Sequence, residues 1–110
     1  MLYEYKAIVR EVYDGDTITV DIDLGLRTWR CGEKIRLFGI NAPELRGDER
    51  AAGLEARDRL RELILNKQII LRTLKDKTGK YGRWIGEIFL DGTSINQRMV
   101  GGGYAKEYDE

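Results

Sequence analysis

The chain has 110 residues, enough for one domain with a real core and little room for a second. Its 19 lysines and arginines cancel its 19 aspartates and glutamates, which excludes a polycationic nucleic-acid coat, and no apolar run approaches the ~18 residues that cross a bilayer. With no histidine and a single cysteine, Cys31, it excludes imidazole bases, thiolate metal sites and an internal disulfide. Chemistry is left to carboxylates, arginines, lysines, hydroxyls or a bound hard cation.

Tyr3–Val12 alternates and is rich in aromatic and β-branched residues, which predicts a strand. Asp14-Gly15-Asp16 breaks the pattern, and Thr17–Asp23 resumes it with Ile18, Val20 and Ile22 on one face. Asp-Gly between two alternating runs signals a hairpin, because glycine accepts positive φ. The Leu24–Lys34 connection reads as long. A third strand then spans Lys34–Ile40 and stops at Asn41-Ala42-Pro43, where proline cannot donate to a ladder. Asp48 suits a helix N-cap, and Leu54, Leu60, Leu63 and Ile64 share one face of a helix ending near Asn66. Gln68–Leu74 predicts a fourth strand, Lys75–Gly82 a polar turn region and Trp84–Leu90 a fifth strand. Asp91-Gly92 turns the chain. Ser94 and Gln97 match a capping box that opens a short helix, which Gly101-Gly102-Gly103 terminates.

Three strands, a helix, two strands and a helix make a chain that is mostly β with helices. The order fits a five-stranded OB-type barrel over residues 1–110, with one helix between strands three and four and a short C-terminal helix. A small α+β sheet with helices on one side fits nearly as well.

The neutral total hides an uneven layout. Met1–Asp23 carries six acids against Lys6 and Arg10, whereas Leu63–Arg83 holds six bases against Asp76 alone. Three segments carry residues suited to chemistry. Asp14-Gly15-Asp16-Thr17 offers two hard carboxylates to a cation, or forms an ordinary hairpin tip. Arg36 lies between apolar Ile35 and Leu37, where a guanidinium must reach solvent or meet an anion. Glu44 follows a rigid Pro43, a placement that suits a general base, though a loop glutamate looks the same. Lys80-Tyr81-Gly82-Arg83 sets a ring beside a planar fork suited to phosphate, or is a polar turn. Trp29 suits packing or stacking on a base, and Cys31 reads as a packing residue.

Asp-Gly-Asp-Thr, then Arg-Leu with Pro-Glu, then Lys-Tyr-Gly-Arg resembles the thermonuclease (staphylococcal nuclease-like) family. The likeness continues through Asp91-Gly92, Ile95-Asn96 and Gly103-Tyr104-Ala105-Lys106, so it covers about Val12 to Lys106. The resemblance implies the OB-type barrel and Ca²⁺-dependent hydrolysis of DNA and RNA to 3′-phosphate ends. It makes Asp16 a metal ligand, Asp14 its support and the Ala42 carbonyl a further ligand. Glu44 would handle the attacking water, Arg36 and Arg83 would grip the scissile phosphate, and Lys80 and Tyr81 would contact its neighbour. Tyr104 and Tyr108 are candidates for base stacking.

Asn41 departs from the pattern, standing where secreted members carry a second metal-binding aspartate. Weaker Ca²⁺ binding, or tolerance of other cations such as Mg²⁺ or Mn²⁺, is the expected result, and a non-catalytic nucleic-acid-binding module is the alternative function. The expected partner is single-stranded or flexible nucleic acid, met by a monomer without membrane contact. The start of the chain shows no secretory signal, which suggests a cytoplasmic or mobile-element protein.

Overall fold

Strand β1 (Leu2–Asp14) runs antiparallel to β2 (Thr17–Asp23), and their register places Val9 opposite Val20 and Val12 opposite Ile18. The molecule is known from a computed structural model that describes residues 2–78 and 82–109. The chain continues through β3 (Trp29–Leu37), the short β4 (Ile40–Asn41), a 3-10 turn (Gly47–Glu49) and helix α1 (Arg50–Ile64). It then forms β5 (Gln68–Thr78), β6 (Trp84–Leu90), the short β7 (Thr93–Ser94), helix α2 (Ile95–Gly101) and the short β8 (Lys106–Glu107).

The five long strands hydrogen-bond in the order β3-β2-β1-β5-β6, and β6 returns to β3 to close the ring. The closing seam is parallel and short, pairing Ile35 with Trp84, Arg36 with Ile85 and Leu37 with Gly86. Closure makes this an OB-type barrel and removes the open α+β sheet. As the sequence predicts, α1 lies between the third and fourth barrel strands and α2 follows the fifth. Val9, Val12, Ile18, Val20, Ile35, Leu37, Leu71 and Ile88 are buried in one core with Leu60 and Ile64 of α1 and Ile95 and Met99 of α2. Burying side chains of this kind contributes about 1.5–3 kcal/mol each.

Local chemistry sets several boundaries. Asp91 and Gly92 both take positive φ, the geometry of a tight hairpin turn between β6 and β7. Ser94 caps α2 by accepting from Gln97 N at 3.2 Å. At the other end Gly103, with φ +80°, lets its own N bond Val100 O and Tyr104 N bond Met99 O, a Schellman closure. Asn96 is fully buried between α2 and the barrel. Its Oδ1 accepts from Ile88 N at 3.1 Å, and its Nδ2 donates to Phe38 O at 2.9 Å.

Other expectations are corrected. β3 spans Trp29–Leu37, not Lys34–Ile40, with Ile40 falling in β4, so the expected long connection is a tight turn in which Leu24 N bonds Thr28 O. The early part of β3 is exposed from Trp29 to Gly32, so it lacks the buried alternation that marks a strand. Cys31 is exposed and does not pack in the core. β5 runs on to Thr78, beyond the expected end at Leu74. Asp48 does not cap α1, which starts at Arg50 after the 3-10 turn and has no side-chain cap bond. Gly15 is absent from the positive-φ positions, so its glycine has another cause. A Cβ there would stand 2.7 Å from both Ala42 Cβ and Ala56 Cβ.

Candidate active site

The tight approach at Gly15 brings the β1–β2 turn against the loop after β4 and against α1. Asp16 is the last residue of that turn, just before β2, and is buried. Its Oδ2 accepts from Ala42 N at 2.8 Å, and its Oδ1 accepts from Thr17 Oγ1 at 3.3 Å. Arg36, paired with Thr17 across β2 and β3, brings Nη1 to 3.6 Å from Asp16 Oδ2. Its side chain is only 15% exposed and also donates from Nη1 to Leu37 O at 2.7 Å. The strand arginine therefore meets an anion, one of the two fates its sequence position allows.

Asp14 stands on the other side of the turn, where its Oδ1 accepts from Asp16 N at 3.1 Å. Burial, and secondly the charge of Asp16, push its carboxyl up to about 6. Arg83, immediately before β6, lines a cleft of about 270 Å³ together with Asp14 and Thr17. The closing seam is what brings Arg83 beside β3, 47 residues after Arg36 in the chain.

Asn41 is exposed at the end of β4 and pairs with Lys106 of β8. Together with Ala42, Pro43, Glu49 and Tyr104 it lines a second cleft of about 160 Å³. Glu44 is not gathered with Asp16 and Arg36. Its carboxylate is 64% exposed and pairs with Arg46 at 3.2 Å, while its backbone N donates to Glu49 Oε1 at 3.0 Å. Pro43 alone does not aim this side chain. Tyr108 is held close to the site by β8 and by its own N bonding Gly39 O, with its ring centre 6.0 Å from the Arg36 guanidinium. Lys80 and Tyr81 lie outside the described residues.

Two residues that set this geometry carry no functional chemistry. Gly15 is one, and Gly53 in α1 is the other. A Cβ on Gly53 would meet Glu44 O at 2.2 Å, so the helix lies directly on the backbone of the Pro43-Glu44 loop. An isolated glycine inside an amphipathic helix pattern is the signal that points to such a contact.

Among the described residues no group of three acidic, histidine or cysteine side chains gathers to hold a metal. The donors present are two adjoining carboxylates, an exposed amide and backbone carbonyls, all hard oxygens. Such a set fits a calcium-like cation completed by water.

The fold is thus a closed OB-type barrel whose β1–β2 turn brings two carboxylates and a guanidinium together. The family described as "Staphylococcal nuclease homologue" matches residues 34–110, and the chain belongs to that family. It is similar to the endonuclease YhcR of Bacillus subtilis, at 30% identity over 96% of this chain and 9% of that protein. It is also similar to the thermonucleases of Staphylococcus hyicus (30% identity, 93% of this chain) and Staphylococcus intermedius (26% identity, 90% of this chain). The chain spans 57% of each of these two thermonucleases. Among the described residues, no helix is long and apolar enough to cross a membrane.

Proposed function

We propose that residues 1–110 form a nuclease domain that hydrolyses phosphodiester bonds of single-stranded or flexible DNA and RNA, acting as a monomer and leaving 3′-phosphate ends. The observation that carries this reading is the pair of buried Asp16 and partly buried Arg36 at 3.6 Å, set beside Asp14 and the Arg83 cleft. Displacement at phosphorus needs charge neutralisation and positioning more than covalent help. Arg36 and Arg83 grip the scissile phosphate and stabilise the charge that grows on it. Glu44 leaves Arg46 to orient or deprotonate the attacking water; the loop that carries it is fixed by Glu49 and by α1. Lys80 and Tyr81 hold the neighbouring phosphate, and Tyr104 and Tyr108 take bases.

Asp16, the Asn41 amide and the Ala42 carbonyl would hold Ca²⁺, with Asp14 in support and Mg²⁺ or Mn²⁺ as substitutes. When bound, the cation supplies positive charge next to the phosphate. The names of the similar proteins, two thermonucleases and an endonuclease, support hydrolysis of nucleic acid. Cleavage of heat-denatured DNA with Ca²⁺, and again with excess chelator, tests the reading; chelator-sensitive degradation is the expected result.

A second reading is a binding module without catalysis. The exposed Glu44–Arg46 pair and the neutral Asn41 favour it. Strong, salt-sensitive binding without cleavage at any cation would select it.

A further inference from the structure

The β1–β2 ladder skips one residue next to the site. Val12 pairs with Ile18 and Asp14 with Thr17, which leaves Tyr13 without a partner on β2, in a bulge. Bulges re-aim side chains and recur near active sites. Tyr13 is 67% exposed and lines the cleft of about 270 Å³ that Asp14, Thr17 and Arg83 share with the candidate site. Thr19 and Lys34, paired across β2 and β3, extend that cleft away from the Asp16–Arg36 pair.

The charges are sorted across the cleft. Glu11 and Asp14 stand on the β1 side with Tyr13, whereas Lys34 and Arg83 stand on the β3–β6 side. A phosphate is repelled on the first side and attracted on the second. A base suits the β1 side, where the phenol ring offers a stacking face and a carboxylate can accept from an exocyclic amine. Two interstrand steps, roughly 10 Å, separate the strands that carry Tyr13 and Lys34.

We infer that this cleft is a flanking-nucleotide subsite, in which Tyr13 stacks on the base next to the scissile linkage and Lys34 contacts that nucleotide's phosphate. The inference rests on the nuclease reading and gives the substrate strand a path over β1–β3.

The test is fluorescence anisotropy with a labelled ten-nucleotide single strand, in chelator so that nothing is cut, followed by cleavage kinetics with Ca²⁺. Tyr13→Ala should weaken binding about tenfold, and Tyr13→Phe should retain it. Lys34→Ala should reduce the salt slope by about 0.7. In cleavage, the Tyr13→Ala loss should fall on KM and not on kcat. Tyr13 and Lys34 are both exposed, and circular dichroism checks that each variant keeps the wild-type fold. A wild type that binds or cleaves while Tyr13→Ala matches it overturns the subsite alone. A wild type that neither binds nor cleaves overturns the nuclease reading, and the subsite with it.

Discussion

Ala42 N donates to Asp16 Oδ2 across 2.8 Å, and this one bond ties together segments 26 residues apart in the chain. With Thr17 Oγ1 on the other oxygen and Arg36 alongside, the Asp16 carboxylate is oriented before any ligand arrives. Groups fixed in advance do not have to reorganise during a reaction, which is where electrostatic catalysis gains most.

Under the proposed function, removing either arginine tests the phosphate grip. Arg36→Ala and Arg83→Ala should each lower kcat/KM on single-stranded DNA by about 10²–10³-fold, the usual loss when a charge-stabilising donor is deleted. Near-unchanged kcat/KM in both variants would remove the phosphate-gripping assignment.

Asn41→Asp adds a carboxylate at the end of β4, beside the segment that Asp16 holds. It should tighten Ca²⁺ binding, read by calorimetric titration, because hard-cation affinity rises with ligand charge. Equal affinity in wild type and variant would take Asn41 out of the ligand set.

Asp14 makes stability depend on pH in metal-free buffer. Its folded value of about 6 lies above the unfolded 3.8, so the folded state holds the proton more tightly. Stability therefore falls as pH rises from about 4 through 6, and the deficit is complete above that window. Discounted for the group's partial exposure, the deficit is about 1–2 kcal/mol. Asp14→Asn should be more stable than wild type by that amount at pH 7.5 and equal to it near pH 3.5. Urea denaturation at the two pH values, with chelator present, reads the difference.

Gly53→Ala should destabilise the protein by about 1–3 kcal/mol, although alanine is the better helix former. The added Cβ meets backbone on the Glu44 loop, where nothing yields cheaply. Gly101→Ala, at the open end of α2, meets nothing within 4 Å and should be neutral or stabilising. Urea midpoints for the pair separate the close approach from helix propensity. Under the proposed function, Gly53→Ala should also lower kcat by displacing Glu44.

The elements legible in the sequence were those with regular chemistry: alternating β2, the apolar stripe of α1, the Asp91-Gly92 turn and the Ser94 cap. What escaped had no period to reveal it. Trp29–Gly32 is strand held by backbone pairing with an exposed surface. β4 and β8 are two-residue pairings that form only because Ile40 and Asn41 find Glu107 and Lys106 across the fold. The bulge at Tyr13 shifts the ladder by one residue without any Gly or Pro to announce it. At the site, the apolar neighbours of Arg36 left two outcomes open, solvent or an anion, and the fold decides for the anion by bringing Asp16 to it. Glu44 turned toward Arg46 was not legible, because Pro43 restrains the backbone and leaves the side chain to its charged neighbours.

The three-pair seam between β3 and β6 has a consequence for the order of synthesis. A chain growing from its N-terminus makes Asp14, Asp16 and Arg36 early, but Arg83 and the strand that closes the ring come about fifty residues later. Until then β3 is an open edge and Arg36 stands without Arg83 beside its strand. Distant pairings of this kind are the last to form. Under the proposed function, the two arginines therefore come to act together only when the ring itself closes.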